Sequence, residues 1–392
     1  MKRELIYMDA KSSKFWNIQL EGSSHTVTYG RIGSTGQTSS KSFAGEEAAR
    51  KDFDKLVKEK LGKGYVDAAA SQASSDEIPL VAFTSIHRRE DISHNAGTFV
   101  GKRVVDYDPE KAPKADVVYR FRSDWDSDKL IPNLKHFLAL PAALEATALV
   151  IGAWHGDDSE TSPEHVIATL VEGKERLPNL LALYLGDITS EENEMSWIHQ
   201  SDLAPLLQAY PKLQLLRSRG GDGLKLSAPA HERLRGLAIE TGGLDVSVVR
   251  SIGMAKFPNL EYLELWLGTE EYGANATVED LQPILAGQLF PQLKYLGLRN
   301  SERADEIAAV LVNCPLVQRL ETLDLSLGTL GDDGANALLK LSSPTLKKLN
   351  LHYNYISPDL IKRLKALPLT VDASKPSDME EEEEWRFVAV GE

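Results

Sequence analysis

The sequence predicts an α/β protein made of two unlike parts. The first is a small antiparallel sheet of three or four strands with one helix, and the second is a long stack of strand-and-helix repeats. Three observations support this prediction. A leucine phrase recurs along the later part of the chain, the first 66 residues alternate in polarity like short strands, and a polar stretch without periodicity separates the two parts.

The recurring phrase is Leu-x-x-Leu-x-Leu, seen most clearly in the stretch 259–267. Complete or degenerate copies place their middle residues at 149, 183, 216, 237, 263, 296, 323 and 349, so the spacing runs from 21 to 34 residues. A phrase of this kind at this period is typical of a leucine-rich repeat, in which each unit contributes one strand and a returning helix or loop. One unit cannot bury its leucines alone, so we expect a stacked α/β horseshoe with a parallel concave sheet.

The composition divides the chain into five predicted segments. Residues 1–66 form the small sheet-and-helix module, 67–77 a flexible linker, 78–145 the N-terminal cap of the solenoid, 146–375 the repeats, and 376–392 an acidic tail with a capping strand. Within the cap segment we expect strands at 99–107 and 116–121 and a helix at 129–140. Residues 386–390 alternate like a strand that would cover the exposed edge of the last repeat.

The net charge is unevenly distributed. The whole chain carries −14 at neutral pH, whereas residues 1–66 hold 12 Lys and Arg against 8 Asp and Glu. That module therefore has a net charge of +4 and the remainder −18, so only the small module would attract a polyanion. A single cysteine and the lack of any long apolar run lead us to expect a cytoplasmic protein that does not enter a membrane.

The N-terminal module contains the sequence Tyr29-Gly-Arg-Ile-Gly-Ser-Thr-Gly-Gln37, followed by a helix over 46–61 that ends in Leu-Gly-Lys-Gly-Tyr65. These residues resemble a WGR domain, a module found in DNA-dependent poly(ADP-ribose) polymerases and in bacterial regulators, including regulators of molybdate metabolism. In the polymerases the tryptophan of the motif packs on the sugar at a DNA end and the arginine organises neighbouring domains. The resemblance assigns these roles to Tyr29 and Arg31, with tyrosine as a smaller platform.

The residues of the module also support this prediction physically. An aromatic ring beside an arginine, with Lys14 and Lys41 near in sequence, combines stacking with phosphate attraction. We therefore predict contact with DNA ends or single strands through Tyr29, Arg31, Lys14 and Lys41. The alternative is that Tyr29 belongs to the sheet core and Arg31 to a structural ion pair.

Alternation along the repeat strands predicts which side chains point away from the leucines. This set would line the concave face, where large aromatic residues often mark a contact surface, and we predict that it binds an unknown protein partner. Its members are Trp154, Tyr184, Arg217, Arg219, Glu240, Tyr262, Glu264, Trp266, Tyr295 and Arg299, with Asp324 and His352 beside them. The alternative is that some of these residues tuck against loops of neighbouring repeats.

From residue 149 onward the chain also resembles a narrower bacterial family of leucine-rich-repeat proteins without an assigned biochemical activity. The resemblance is carried by five phrases and the closing Trp385-Arg-Phe-Val-Ala-Val390. The phrases are Leu149-Val-Ile-Gly-Ala-Trp154, Tyr184-Leu-Gly-Asp-Ile188, Ser196-Trp-Ile-His-Gln-Ser-Asp202, Ile239-Glu-Thr-Gly-Gly-Leu244 and Trp266-Leu-Gly-Thr-Glu-Glu-Tyr-Gly273. The resemblance sharpens the fold and leaves the activity open.

The sequence shows no catalytic arrangement that we can identify. The nine histidines lack metal-ligand spacing, and no nucleophile elbow or phosphate-binding glycine loop is present. We therefore expect a non-enzymatic scaffold without cofactor or metal. The alternatives are a regulatory subunit in which both modules bind protein and, more remotely, an unrecognised hydrolase that uses the acidic loops.

Overall fold

The computed structural model describes residues 1–9, 12–31, 36–63, 65–67, 77–83, 92–155, 158, 160–377 and 385–391. The chain folds into two compact units. The first comprises residues 1–87, 96–104 and 114–118, and the second comprises 88–95, 105–113 and 119–392. The segment predicted as a cap, 78–145, is thus divided between the units, and its capping role stays a prediction. Most of the predicted linker lies outside the described residues.

The first unit contains an antiparallel sheet in the strand order β4-β3-β2-β1-β5 and one long helix. The strands and the helix are β1 Lys2–Asp9, β2 Ser12–Glu21, β3 Ser24–Arg31, β4 Gln37–Ser42, β5 Val66–Asp67 and α1 Glu46–Gly62. The prediction of a small antiparallel sheet with one helix is therefore confirmed. The turn predicted at 33–36 lies mostly outside the described residues.

The core of the first unit forms where α1 covers one face of the sheet. Leu5, Trp16 and Ile18 come from neighbouring strands on that face, and Phe53 and Val57 come from the helix; all five are buried. Their spacing explains the contact, because alternate strand residues share a face and residues four apart share a side of a helix. Two glutamates in the first turn suit the positive N-terminal end of α1.

The strand predicted at 99–107 is instead a hairpin. Its strands are β6 Thr98–Phe99 and β7 Lys102–Asp106, paired antiparallel. The two residues between them, Val100 and Gly101, have φ values of 45° and 78°. Two successive positive φ values make a tight turn whose twist matches that of the flanking strands, so the chain reverses there.

The second unit is dominated by parallel strands in the order β17-β16-β15-β14-β13-β12-β11-β10-β9-β8. Each strand neighbours the next one along the chain, as a repeat stack requires. Their bounds are β8 Val117–Phe121, β9 Ala148–Ile151, β10 Ala182–Leu185, β11 Leu215–Arg219, β12 Gly236–Glu240, β13 Tyr262–Gly268, β14 Tyr295–Ser301, β15 Thr322–Asp324, β16 Lys348–Asn350 and β17 Thr370–Asp372.

Helices return the chain between most of these strands. They are α2 Leu130–Ala139, α3 Glu164–Glu172, α4 Ala204–Ala209, α5 Val246–Ile252, α6 Val278–Leu285, α7 Ala304–Leu311, α8 Asp332–Leu338 and α9 Pro358–Leu364. The step from β11 to β12 has no helix in residues 220–235, all of which the structure describes. It is the shortest spacing of the leucine phrase, 21 residues, so a loop replaces the helix there.

The middle leucines of the repeats align into one column. Leu183 pairs with Leu149 on one side and with Leu216 on the other, and the same register continues from strand to strand. These leucines are fully buried and belong to a single core that runs through the repeats. The leucine-rich-repeat prediction is therefore confirmed, and its core is continuous because each strand repeats its neighbour's register.

The segment Trp385–Gly391, which we call the strap, is not the strand predicted at 386–390. It is hydrogen-bonded to Tyr355, Leu327 and Asn300, which lie after β16, after β15 and near the end of β14. It is also hydrogen-bonded to Ser196, which follows the more distant strand β10. The strap thus crosses the strand ends and does not extend the sheet edge at β17. Its contacts with side chains and with irregular loop backbone hold it in that path, which local alternation in sequence cannot reveal.

In the part of the chain that the structure describes, no helix is both long enough and apolar enough to cross a membrane.

Replacing Phe53 with alanine is expected to destabilise the first unit by about 3–5 kcal/mol, because a buried aromatic ring is lost from a small core. Hydrogen exchange on the intact chain measures this locally: amides of α1 and β2 should lose protection while those of the repeat strands keep theirs. Leu61→Ala is the control, since Leu61 is largely exposed on the same helix. Equal effects of the two substitutions would contradict the proposed packing.

Candidate functional site

The pairing of β2 with β3 brings three of the predicted nucleic-acid residues together. Lys14 lies opposite Arg31, and Trp16 lies opposite Tyr29. Directly opposed residues share a face, so Lys14, Arg31 and Tyr29 lie on the helix-covered face, with Lys14 and Arg31 one step beyond the pair of Trp16 and Tyr29. Trp16 is buried, whereas Lys14 and Arg31 are exposed and Tyr29 is 44% exposed. The alternative that Tyr29 belongs to the sheet core is therefore wrong.

Helix α1 adds a fourth member, Lys60, to this end of the sheet. The Lys60 Nζ lies 5.6 Å from the centroid of the Trp16 ring and 5.1 Å from that of Tyr65. Burial lowers the pKa of Lys60, and the positive charges of Lys63 and Lys14 lower it further. Lys14 and Lys60 therefore sense each other electrostatically. We call Lys14, Tyr29, Arg31 and Lys60 the basic patch.

Sequence reasoning missed Lys60, although a signal for it was present. Phe53, Leu56 and Val57 form the apolar stripe of α1, and Lys60 follows three residues later on the same side. The stripe therefore predicts that Lys60 lies on the core-facing side of α1, at the C-terminal end of the helix where the apolar core stops. Its direction became visible only in the structure, where the C-terminal end of the helix lies beside Trp16.

Lys41 is not brought to the basic patch. It pairs with His25 on β3, four residues and thus roughly 13 Å along the strand from Tyr29. Its Nζ lies 3.5 Å from Asp52 Oδ2 and 4.7 Å from the centroid of the Phe43 ring. Asp52, in the first half of α1, therefore offsets the charge of Lys41 away from the basic patch.

The predicted concave residues of the second unit do lie together on one face of the sheet. The strand register puts Tyr184 beside Arg217, and Trp266 beside Arg299. Tyr262 and Tyr295 are also neighbours, with rings stacked at 4.1 Å between centroids and 11° between planes. The alternation argument therefore assigned the face correctly.

The expected exposure of these residues is wrong. Each is at most 8% exposed, as are the two that accompany them. The residues concerned are Trp154, Tyr184, Arg217, Arg219, Glu240, Tyr262, Glu264, Trp266, Tyr295, Arg299, Asp324 and His352. Residues that are already buried cannot serve as exposed anchors for a partner without a rearrangement of the fold.

One group of these side chains is organised around Glu240. Its carboxylate accepts hydrogen bonds from Arg217 Nη1, from Arg219 Nε at 2.9 Å and from the Tyr184 hydroxyl at 3.4 Å. Burial would raise the pKa of Glu240, but the two adjacent guanidinium groups outweigh it and lower that pKa. Arg219 also donates to the Ile188 carbonyl oxygen at 2.7 Å. These contacts tie together three successive strands.

A second group is organised around Glu264. It accepts hydrogen bonds from the Tyr262 hydroxyl, from Trp266 Nε1 at 2.8 Å and from Arg299 Nη1 at 2.9 Å. Gly297 stands beside Glu264 in the register, and a Cβ there would lie 3.1 Å from the Tyr295 hydroxyl oxygen. Glycine thus leaves the space that these large side chains fill. We call the Glu240 and Glu264 groups the buried charge network.

Asp324 extends the network to the next repeats. It accepts hydrogen bonds from the Tyr295 hydroxyl at 2.9 Å and from Asn350 Nδ2 at 2.8 Å. Burial opposes ionisation of Asp324, but the charge of Arg299 and the hydrogen bond from Ser326 lower its pKa below the ordinary value. Trp154 is held separately, by a 2.9 Å hydrogen bond from its Nε1 to the Thr161 carbonyl oxygen. That contact matches the alternative in which a loop covers the ring.

Two open clefts lie at the carboxyl ends of the parallel strands in the second unit. The first has a volume of about 850 Å³, and its walls are the loops that follow β10, β13 and β16 together with the strap. An adjoining cleft of about 600 Å³ shares Ser93 and His94 with it and includes Trp125. We call this surface the strand-end rim.

Exposed aromatic residues concentrate on the strand-end rim. Trp125 is 75% exposed, Trp197 58%, Trp385 73% and Phe387 60%. Sequence reasoning did not select them, because it looked for aromatics between the leucines of the strands. Among the described residues, no group of three or more His, Cys, Asp or Glu side chains is placed to hold a metal ion.

Comparison with known protein families identifies the N-terminal part of the chain. The WGR domain family matches residues 1–72. Over 65 residues the chain is 48% identical to the uncharacterized protein YfeS of Escherichia coli K12, and over 67 residues it is 42% identical to the E. coli protein YehF. Each alignment spans 17% of this chain and only 27% and 24%, respectively, of those proteins.

One solved structure is similar over nearly the whole length. It is the crystal structure of a protein from Bacteroides fragilis, 30% identical, with a TM-score of 0.68. The alignment covers 97% of this chain and 98% of the Bacteroides protein. The likeness therefore extends through both compact units.

Replacing Trp266 with alanine is expected to lower the free energy of unfolding by about 3–5 kcal/mol, because its buried ring fills the face of the sheet and holds Glu264. Urea denaturation followed by circular dichroism measures the loss. Trp197→Ala is the matched control and is expected to change stability by less than about 0.5 kcal/mol, since its ring is exposed. A stable, folded Trp266→Ala chain would show that the ring is not part of the core.

Glu240→Gln is expected to destabilise the fold at pH 7 by about 3–5 kcal/mol, because two buried arginines lose their carboxylate. The folded-state pKa of Glu240 is below its ordinary value, so its ionic contribution is full above pH 4.5 and declines as pH falls further. The substituted chain should therefore lose less stability than the wild type below pH 4.5. Urea denaturation at a series of pH values measures both effects, and parallel pH profiles would contradict this account.

Proposed function

We propose that this chain, which belongs to a bacterial family joining a WGR domain to leucine-rich repeats, is a non-enzymatic binding protein. Its WGR domain contacts nucleic acid, and its repeat body holds a protein partner. The match to the WGR family and the stacked repeats support a binding or scaffold role. The single cysteine supports a cytoplasmic setting for it.

The observation that carries the nucleic-acid proposal is the basic patch. A partly exposed tyrosine ring lies on the same face and at the same end of the sheet as Lys14 and Arg31, and Lys60 reaches that end from the helix. Aromatic rings bind bases or sugars by stacking, while lysine and arginine neutralise phosphates. The combination suits a polyanion that carries planar groups.

Charge distribution directs the polyanion to this module. Residues 1–66 have a net charge of +4, and the rest of the chain has −18. The acidic repeat body therefore repels phosphate, so productive encounters are favoured at the basic patch. A single, partly exposed ring at one end of the sheet reaches an unpaired base or a terminal sugar more readily than it reaches the interior of a duplex. We therefore propose DNA ends and single strands as ligands.

The repeat body supports a protein-binding role at the strand-end rim. The predicted anchors of the buried charge network are occupied with one another, whereas exposed Trp125 lines one open cleft and exposed Trp197 follows Glu194, which lines the other. Exposed aromatic residues next to a cleft are typical of protein contact surfaces. We therefore propose that the protein partner binds at the ends of the strands and not on the face of the sheet.

The full chain is expected to bind short DNA with an affinity that falls as salt rises, because phosphate neutralisation releases counterions. Arg31→Ala should weaken binding to every sequence, and Tyr29→Ala should cost about 1–3 kcal/mol if the ring stacks. Tyr29→Trp should strengthen binding through a larger ring. Fluorescence anisotropy with blunt, overhanging and single-stranded oligonucleotides at low salt provides the measurement.

Lys41→Ala is the charge-matched control for Arg31→Ala. It removes one positive charge from the same domain but from the end where Asp52 offsets it, so binding should change little. Equal losses from the two substitutions would indicate a general charge effect. No binding at tens of micromolar protein would overturn the nucleic-acid proposal and favour a regulatory subunit in which both modules bind protein.

A further inference from the structure

The strap lies on the strand-end rim as a short extended segment docked on the repeats. Its residues Val388, Ala389 and Val390 are buried, whereas Trp385 and Phe387 are largely exposed. The strap therefore lies in a groove of the repeats that covers one side of it and leaves the other side open. We call this groove, which includes Asn300, Leu327 and Tyr355, the trough. The covered part of the strap behaves like a bound peptide.

The trough holds the strap chiefly through the strap's own backbone. The Asn300 side chain donates from Nδ2 to the Val390 carbonyl oxygen at 2.5 Å and accepts from the Val390 amide at 3.0 Å. The Ala389 amide donates to the Leu327 carbonyl oxygen at 2.8 Å. Tyr355 exchanges two hydrogen bonds of 3.0 Å with the amide and carbonyl of Phe387.

The walls of the trough have a backbone conformation suited to this docking. Asn300, Leu327, Tyr353 and Lys375 follow one another in successive repeats and all have positive φ, from 50° to 69°. Left-handed backbone is uncommon for residues other than glycine and is retained where the surrounding structure requires it. At two of these positions, Asn300 and Leu327, the strap is hydrogen-bonded directly.

Two glycines provide the space for the strap. A Cβ on Gly331 would overlap the Arg386 guanidinium, and a Cβ on Gly242 would overlap the Gly391 carbonyl oxygen. The Arg386 group also forms a 2.9 Å ion pair with Asp305. Glycine at 242 therefore lets the backbone of Gly391 approach the repeats closely, and glycine at 331 leaves room for the Arg386 side chain in its present position.

The strap also forms one wall of the larger cleft. Residues 387–391 line it, facing Glu194, Glu271 and Tyr272 on loops from other repeats. A segment longer than the strap would have room to continue into this cleft. Displacing the strap would open the cleft further.

We propose that this trough is a binding site for extended peptide segments and that the strap occupies it in competition with the protein partner. The partner would present a segment with small or β-branched apolar residues at the positions of Val388 and Val390, recognised mainly through its backbone. This inference rests on the proposed protein-binding role of the repeat body.

Intramolecular competition follows from the length of the connection. Only residues 378–384 separate Ser377, which is hydrogen-bonded to Asn354, from Trp385. A short tether gives an effective concentration on the order of millimolar, so a free peptide must compete with that value. Binding in trans should therefore be weak in the wild-type chain and strong once the strap is displaced.

The test uses full-length variants and a labelled peptide of residues 385–391 capped at both ends. Val390→Asp places a charge on a buried strap side chain and is expected to release the strap. Fluorescence anisotropy should then show peptide binding at least tenfold tighter than to wild type. Hydrogen exchange should show lost protection at 386–391 with the repeat strands unchanged.

Asn300→Asp in the Val390→Asp background is the matched recognition variant. Aspartate tolerates the positive φ of this position but lacks the amide that donates to the Val390 carbonyl oxygen. It should weaken peptide binding at least tenfold. A control peptide with aspartate at positions 388 and 390 should not bind. Ala389→Pro, which removes the hydrogen bond to Leu327, is a second means of releasing the strap.

Three results would overturn the proposal. A folded Val390→Asp chain that fails to bind the peptide would make the strap a structural element only. Equal peptide binding by the wild type, Val390→Asp and the Asn300→Asp double variant would place the peptide elsewhere. Unfolding by both Val390→Asp and Ala389→Pro would show that the strap cannot be exchanged. DNA binding by the same variants reports separately on the WGR domain, so failure of that proposal remains distinguishable.

Discussion

The register of the parallel strands is the constraint on which the repeat body depends. Because side chains alternate along a strand, one face of the sheet receives the leucines and the other receives the charged and aromatic residues. A slip by one residue would exchange the faces and place Arg217 or Glu264 among the leucines. The leucine core and the buried charge network therefore specify the same strand register. A different register that one of them would tolerate is excluded by the other.

Burial of the charged face changes what that face does. Ion pairs taken out of water contribute little net stability, but breaking one leaves an uncompensated charge. Glu240 and Glu264 each accept hydrogen bonds from a neighbouring strand, so they link repeats in addition to the backbone hydrogen bonds of the sheet and the leucine core. A surface committed in this way is poorly suited to exchange partners. The loops at the strand ends retain open clefts and exposed rings, and the partner site that we propose lies there.

The two compact units use electrostatics in opposite ways. In the repeat body the charges of the buried network are paired with one another and shielded from water, so they respond weakly to salt. In the WGR domain Lys14 and Arg31 are exposed at one sheet end, where attraction for an anion is long-ranged and salt-dependent. The chain thus separates a salt-sensitive basic surface in its WGR domain from a salt-insensitive framework of buried charges in its repeat body. This separation follows from where the charges are exposed and where they are buried, and it does not depend on a catalytic reaction at either surface.

The sequence by itself determined the local and periodic features of this protein. Leucine spacing fixed the repeat architecture, alternation assigned Tyr262 and Trp266 to the face opposite the leucines, and the Tyr29-Gly-Arg31 motif identified the WGR domain. Only the tertiary structure decided exposure, since burial depends on what neighbouring segments cover. It buried the face of Trp266, separated Lys41 from Tyr29 by strand register, and brought Lys60 to the basic patch through the direction of the helix. It also carried the strap across the strand ends, because hydrogen bonds from Asn300, distant in sequence, outweigh the local preference for a strand.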